Sequence, residues 1–236
     1  DKPCLEVAKR LLDNGFNAIE LSGGAYDENF ETNLIKFKES NDVSITLHNY
    51  IPFWKDSYIM NLASTSDSIA NQTEEHIRKA IELSSKIESS WYAFHAGFLI
   101  DPKPSELGKK IKTRTLSDRS SSLTKFTDRV KKLADFAHGK NIRLMIENNV
   151  LSHNNHQRFK GNPLLLCDPN EIHNFFYELN GTVGLLLDLA HFKVSSNSLG
   201  FDLTKGVDHI IPFVEGLHIS DNDGLSDQNK PIKKNS

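Results

Sequence analysis

The sequence predicts an α/β fold, a (β/α)8 TIM barrel that lacks its first strand and its last βα unit in this chain. Amphipathic helical segments alternate with short apolar runs, six of these runs are typical of parallel strands, and all but the first follow a recognisable helix. The chain opens on a helix and ends soon after the penultimate strand, so we expect one domain over residues 1–236, incomplete at both ends. A doubly wound open sheet is the alternative, although no glycine-rich nucleotide motif supports it.

The predicted helices carry apolar residues three and four positions apart. The first ends at Gly15 and the fourth at Gly139, in keeping with the preference for glycine just after a helix. The fifth opens with Asp168 as N-cap, a proline at the first helical position, and Glu171 placed to bond back to the cap. Residues 152–159 are interpreted as a loop. The helical segments are 5–12, about 29–41, 69–87, 123–137 and 169–179, and the strands are 16–21, 43–47, 91–94, 142–146, 183–187 and 214–217.

Composition narrows the class of protein. Hydrophobic residues make up 38% of the 236 residues and charged residues 25%, which is typical of a globular domain with a core. The net charge of −3 disfavours nucleic acid as a partner. Only two cysteines occur, Cys4 and Cys167, which indicates a reducing, cytoplasmic compartment rather than a disulfide framework. No apolar run is long enough for a membrane span.

Residues that can bind a metal occupy the ends of the predicted strands. Five strands end at His48, His95, Glu147, Asp188 and His218, and Glu20 lies one place from the end of the first strand. Since all strands of a parallel barrel open onto one face, we expect these side chains to converge, and burying them without a cation would be costly. Carboxylates and imidazoles without thiolates suit Zn²⁺, Mn²⁺, Co²⁺ or Fe²⁺, and the choice among them stays open.

Further candidates lie in the loops that follow the strands. His191 comes three residues after Asp188, and we expect it, with Asp221 and Asp227, to contact the substrate. The segment that contains Asp223 can equally be a simple turn. Substrate contact or a purely local role is open for His153, His156, Phe53 and Trp54, and the histidines expected to be structural or solvated are His76, His138, His173 and His209.

Six motifs carry a resemblance to a known family: LHNY at 47–50, NLAS at 61–64, FHAG at 94–97, IEN at 146–148, LDLAH at 187–191 and LHISDNDG at 217–224. With them, the sequence resembles the xylose isomerase-like barrel superfamily, which includes sugar and sugar phosphate isomerases and epimerases and endonuclease IV-type DNA repair enzymes. The resemblance covers most of the chain. It is specific for the superfamily and does not name a substrate.

The resemblance implies a metal held by Glu147, Asp188 and His218, with a fourth ligand from a glutamate on the eighth strand, which this sequence does not contain. In the isomerase and epimerase branch, substrate oxygens chelate the metal, which acidifies a C–H bond and stabilises an enediolate. Glu147 would be ligand and acid/base together, and His191 would hold a substrate oxygen. Glu20 would bind a hydroxyl or orient a histidine.

Members with several metals imply further ligands. The positions of His48 and His95 share the Glu147 position around a second metal, and a third metal uses the positions of His191, Asp227 and a histidine two residues on. Here that last position is Asn229, which removes an imidazole and argues against a trinuclear phosphoesterase.

The sequence therefore favours a divalent-metal-dependent sugar isomerase or epimerase with a small-molecule sugar as partner, and leaves the oligomeric state open. The first alternative is an endonuclease IV-like zinc enzyme that cleaves abasic sites. It would need a basic stripe, and the one basic loop also carries Glu106 and Asp118 among Lys103, Lys109, Lys110, Lys112, Arg114 and Arg119. The second alternative is a noncatalytic sugar-binding barrel.

Overall fold

Six parallel strands form one sheet in a computed structural model that describes residues 3–106 and 110–234. The strands follow one another in the sheet in the order of the chain, and each pairs with the next in parallel. They are β1 (Ala18–Leu21), β2 (Ser44–His48), β3 (Trp91–His95), β4 (Arg143–Glu147), β5 (Gly184–Asp188) and β6 (Val214–His218). All six strands predicted from the apolar runs are present.

Helices connect successive strands, and five of them match the predicted segments. They are α1 (Cys4–Asp13), α2 (Phe30–Glu39), α3 (Asp67–Lys86), α4 (Arg119–His138), α5 (His153–Phe159), α6 (Pro169–Leu179), α7 (Leu189–Leu199) and α8 (Leu203–Ile210). Two short 3₁₀ turns occupy Pro104–Glu106 and Ile211–Phe213. Within the described ranges, no helix combines the length and the apolar character that crossing a bilayer requires.

The expectation of a loop over residues 152–159 is wrong, because α5 fills most of this segment. The helix was missed since its seven residues carry no apolar repeat. A cap starts it instead: the hydroxyl of Ser152 accepts a hydrogen bond from the backbone N–H of Asn155 at 3.3 Å.

The start of α6 differs from the predicted capping box in one respect. Asp168 caps the helix as expected, accepting from the N–H groups of Asn170 and Glu171 at 2.9 and 3.2 Å. The Glu171 carboxylate turns elsewhere: it accepts from the backbone N–H of Leu166 and pairs with Arg119, both at 2.7 Å. A tertiary ion pair thus replaces the local bond.

Alternation along the strands separates two layers of side chains. Residues such as Tyr92, Phe94 and Ile146 belong to the large apolar core that also contains helix residues, and they are at most 1% exposed. Their neighbours in sequence face the other side, where Ala93 and Met145 form part of a small separate cluster. Because side chains alternate with a period of two, the strand-end residues His95 and Glu147 share this second face.

A contact between the two outer strands shows that the sheet curls. Six flat strands would separate β1 from β6 by roughly 24 Å. Yet Oε1 of Glu20 in β1 lies 2.9 Å from Nε2 of His218 in β6. This curvature confirms the TIM-barrel fold class and excludes the open doubly wound sheet.

Candidate metal centre and active site

The final residues of β2 to β6 are the five predicted metal ligands: His48, His95, Glu147, Asp188 and His218. Strand register places His95 opposite Glu147 and Asp188 opposite His218, whereas His48 pairs with Ala93 and Glu147 with Leu186. Glu20 is the penultimate residue of β1 and joins the group through its contact with His218. The curled sheet therefore gathers all six side chains at one mouth.

Glu147 lies at the centre, with four imidazoles around its carboxylate, and is 1% exposed. Its Oε2 lies 2.8 Å from Nε2 of His48 and 3.5 Å from Nδ1 of His95. Its Oε1 lies 3.3 Å from Nδ1 of His218 and 3.4 Å from Nδ1 of His191. Each oxygen thus faces two ring nitrogens.

Asp188 both caps a helix and contributes a carboxylate to the site. Its Oδ1 accepts the N–H of His191 at 2.7 Å, which caps α7 directly after β5 and sets His191 in the first turn. Oδ2 lies 3.7 Å from Nε2 of His191. On its far side, His191 approaches Asp227 Oδ2 at 3.5 Å, so the imidazole lies between two carboxylates.

Asn148 is a positioning residue to which the sequence analysis assigned no role. Its side chain is fully buried; its Oδ1 accepts from the N–H of Asp188 at 2.8 Å and its Nδ2 donates to the Asp188 carbonyl at 3.2 Å. Its own carbonyl oxygen lies 3.2 Å from Nδ1 of His191. The signal available in the sequence was an amide directly after a strand that ends in a carboxylate.

The imidazoles keep Glu147 ionised. Burial by itself raises the pKa of the Glu147 carboxyl, but the rings of His95, His218 and His48 outweigh burial and bring this pKa well below its ordinary value. Asp188 has fewer such partners, and burial raises its pKa.

Nearby carboxylates raise the pKa of two of the histidines. Burial lowers the pKa of His191, yet the carboxylate of Asp227, followed by Asp188 and Glu147, raises it to about 9. The same competition raises the pKa of His218 to about 10, with Glu147 and Glu20 as the partners. For His95 burial wins, and its pKa falls to about 4. The carboxylates of this cluster therefore favour a nearby positive charge, either as protons on the imidazoles or as a bound cation.

Unsatisfied atoms and ligand spacing test whether a metal fits. Among the described residues, Oε2 of Glu147 and Nδ1 of His48 and of His95 are buried without a hydrogen-bond partner. Ligands about 2.1 Å from a tetrahedral cation lie roughly 3.4 Å apart, close to the spacings around Glu147. The oxygen and imidazole donors therefore fit a divalent cation.

Two triads of ligand atoms share Glu147, each with all atoms within 4.8 Å: His48–Glu147–His218 and His95–Glu147–His191. The resemblance grouped Glu147 with Asp188 and His218 around one metal and with His48 and His95 around a second. The two triads differ from this grouping in dividing His48 and His95 between them and in including His191 in place of Asp188.

Part of the segment after β6 contacts the site, and another part forms a turn. Asp227 reaches His191, and Asn229 donates to Asp227 Oδ2 at 3.3 Å, so an amide lies beside the carboxylate where the resemblance expected an imidazole. Asp221 lies 3.4 Å from Nζ of Lys193. Asp223 accepts from two backbone N–H groups at 2.8 and 3.1 Å, as a turn residue does.

Other candidates make local contacts. Phe53 packs edge-on against Phe30 and Trp54 stacks on the His76 ring, so both hold the loop after β2. His153 lies 2.8 Å from the side-chain nitrogen of Gln157.

The basic loop is engaged in ion pairs within the chain. Arg114 pairs with Glu106 at 2.5 Å and Arg119 with Glu171 at 2.7 Å. Lys109 lies outside the described residues. These pairs commit both arginines of the loop to contacts within the chain.

Comparison with known proteins identifies the family. Residues 8–235 match the family model described as xylose isomerase-like TIM barrel. The chain belongs to this family. No curated protein sequence matches it.

Several solved structures share their fold with this chain over most of its length. They include a D-tagatose 3-epimerase-like protein (TM-score 0.70, 18% identity, 96% of this chain and 76% of that one). D-psicose 3-epimerase from Clostridium cellulolyticum H10 has a TM-score of 0.64 and 15% identity over 91% of this chain and 66% of that one. The 3-keto-D-glucoside 4-epimerase of E. coli has a TM-score of 0.65 and 12% identity over 94% and 75%. The chain thus spans about two thirds to three quarters of these proteins.

Proposed function

We propose that this protein is a divalent-metal-dependent isomerase or epimerase of a sugar or sugar derivative. The observation that carries the proposal is the Glu147 carboxylate, buried at the mouth of the barrel with four imidazoles within 3.5 Å of its oxygens. The solved structures that share the fold and are named as sugar epimerases support it.

The proposal assigns the metal ligands and the acid/base group to particular residues. Glu147, with His48, His95, His191 and His218, would hold the metal, which is Zn²⁺, Mn²⁺, Co²⁺ or Fe²⁺. When bound, the metal polarises hydroxyl and carbonyl oxygens of the substrate and so acidifies the C–H bond between them. As a carboxylate kept ionised by its neighbours, Glu147 would accept that proton. In an isomerisation it would return the proton to the adjacent carbon, whereas in an epimerisation an acid on the opposite face, at the position of the glutamate that this sequence does not contain, would supply it.

The proposal also assigns roles to Asp188 and Glu20. Asp188, which holds the His191 backbone, would act as a further ligand close to His191. Glu20, 2.9 Å from Nε2 of His218, orients that ring, which is the second of the two roles expected for it. Asp221 and Asp227 remain proposed substrate contacts. The two free, buried cysteines support a cytoplasmic location.

Endonuclease IV-like phosphodiester cleavage is a second candidate, favoured by the two triads that meet at Glu147, since sharing one carboxylate suits more than one ion. Asn229 and the ion-paired arginines weigh against it.

Metal content tests the proposal. The protein is purified, and its metals are counted by plasma mass spectrometry beside those of Glu147→Gln and of Glu82→Gln, a control at an exposed helix position. We expect about one equivalent of a divalent metal in the wild type and in the control, mostly lost in Glu147→Gln. Two or three zinc equivalents would favour the nuclease, and no metal in any sample would overturn both enzymatic functions.

Activity separates an enzyme from a binding protein. The metal-loaded protein is incubated with a panel of aldoses and ketoses in deuterated water, and deuterium in the recovered sugars is measured by NMR. Deuterium beside a carbonyl carbon, lost in Glu147→Gln and kept in Glu82→Gln, is the expected result. Full metal occupancy without exchange or isomerisation in any sugar would leave a noncatalytic sugar-binding barrel.

A further inference from the structure

A cleft of about 550 Å³ opens directly beside the metal centre. His95, His191 and Asp227 form the end of the cleft that meets the centre, and the loops after β2, β3 and β4 form its walls. Clefts of roughly 300 to 1,000 Å³ hold drug-sized ligands, so this volume exceeds the needs of the reacting carbons alone.

One wall of the cleft is apolar. It consists of Tyr50, Met60, Phe98, Ile111 and Leu164. Three of these side chains, Met60, Ile111 and Leu164, are less than 9% exposed and so are held in place by the packing behind them. The wall is therefore a fixed surface rather than a set of mobile side chains.

Amides that line the same cleft are engaged in holding the loops. The Nδ2 of Asn149 is within 3.1 Å of three backbone carbonyl oxygens, those of residues 96, 97 and 165. Oδ1 of Asn49 accepts the N–H of His95 at 3.1 Å, and Oδ1 of Asn155 accepts the N–H of Ile111 at the same distance. These amides shape the cleft, and much of their hydrogen-bonding capacity is already used.

A free monosaccharide suits the apolar wall poorly, whereas Glu106, Lys110 and Ser152 supply polar groups elsewhere in the lining. Such a sugar carries a hydroxyl on nearly every carbon, and hydroxyls placed against the apolar wall would lose water without gaining partners. An apolar ring on the same wall would instead be favoured by burial.

We propose, on the basis of the proposed function, that the substrate is a sugar carrying an apolar, ring-sized substituent, with the sugar at Glu147 and the substituent in the cleft against Phe98 and Leu164. Because the cleft is continuous with the metal centre, one molecule can occupy both. The substrate class is thus a sugar that retains a carbonyl group for the proposed proton transfer and also carries an aryl-type substituent, rather than a free sugar.

Matched glycosides test the inference by equilibrium binding. Methyl and phenyl glycosides of D-glucose, D-galactose, D-mannose and D-xylose are titrated into the protein by calorimetry, with excess MnCl₂ and again with EDTA. We expect at least one phenyl glycoside to bind tenfold or more tightly than its methyl partner. Phenol alone measures what the ring contributes without the sugar.

Two variants locate the effect. Val150→Phe, in the cleft, should reduce the phenyl-to-methyl affinity ratio to about one, whereas Val7→Phe on α1 should keep it. Phe98→Leu, a milder change, should reduce the ratio severalfold, and thermal melting reports whether each variant is folded.

The outcomes distinguish this inference from the proposed function. Sugars that bind or exchange deuterium while every phenyl-to-methyl ratio stays near one would overturn the cleft inference alone. A phenyl preference that is lost in Val150→Phe, in a protein that holds no metal and exchanges no deuterium into any sugar, would keep the cleft and contradict the metal-dependent function. A phenyl preference that survives in both cleft variants would place the ring elsewhere and overturn the inference.

Discussion

His76 should make the protein less stable as the pH falls below neutral. The ring is completely buried on α3, its Nδ1 lies 2.9 Å from the hydroxyl of Tyr58, and the Trp54 ring stacks on it. Burial lowers the pKa of His76 from 6.5 to about 4, and the ammonium of Lys79 acts in the same direction. The folded protein therefore holds this ring neutral at a pH where an unfolded chain protonates it.

The size of the effect follows from the two pKa values. Each pH unit between them corresponds to about 1.4 kcal/mol, so the full difference between 6.5 and about 4 amounts to roughly 3 kcal/mol. Since the unfolded state binds the extra proton, stability is fully present above pH 6.5 and is lost as the pH falls toward 4. About 2 kcal/mol of it is lost by pH 5.

Urea unfolding at pH 7 and pH 5, with EDTA to remove metal, measures the loss. We expect the wild type to lose about 2 kcal/mol more between the two pH values than His76→Gln, which cannot take up the proton. The matched control, His138→Gln, changes an exposed ring at the end of α4 and should follow the wild type to within about 0.5 kcal/mol. Equal losses in the wild type and His76→Gln would refute the reasoning.

Two substitutions test the hydrogen bonds that position the site and those that cap α6. Asn148→Ala removes both side-chain hydrogen bonds to the Asp188 backbone, so metal affinity, measured by competition with a chelating dye, should fall about 10- to 100-fold. An unchanged affinity would show that Asn148 does not position the ligands. Asp168→Ala removes the acceptor for two N–H groups at the start of α6 and should lower the free energy of unfolding by about 1 kcal/mol in urea. An unaltered unfolding midpoint would contradict the cap.

The strands and their ends were predictable because their signal is local. A buried parallel strand is a short apolar run, and the first ionisable residue after the run marks its end. His95 and Glu147 follow this pattern, and period-two alternation then places both on the inner face. The barrel topology inferred from these strands added the expectation that their ends converge.

Other features depend on contacts that no local pattern encodes. Glu171 has the sequence position of a capping-box residue, yet Arg119, 52 positions away, attracts its carboxylate. Which ligand atoms meet around Glu147 depends on ring rotations of His48 and His191, which come from different βα units. The cleft likewise requires loops after three strands, so only the folded chain shows it.

The pattern of unsatisfied atoms distinguishes a metal centre from a buried ion-pair network. Elsewhere the fold satisfies its buried amides: Asn149 reaches three carbonyls, and Asn148 uses both ends of its side chain. Of the eight buried side-chain atoms without a hydrogen-bond partner in the described residues, four belong to the centre: Nδ1 of His48 and His95, Oε2 of Glu147 and Oδ1 of Asp227. A network that existed only for stability would leave these atoms at a cost in desolvation, and hydrophobic replacements would serve it better. Under the proposed function, a bound cation would account for both the position of these atoms at the mouth of the barrel and their missing hydrogen bonds.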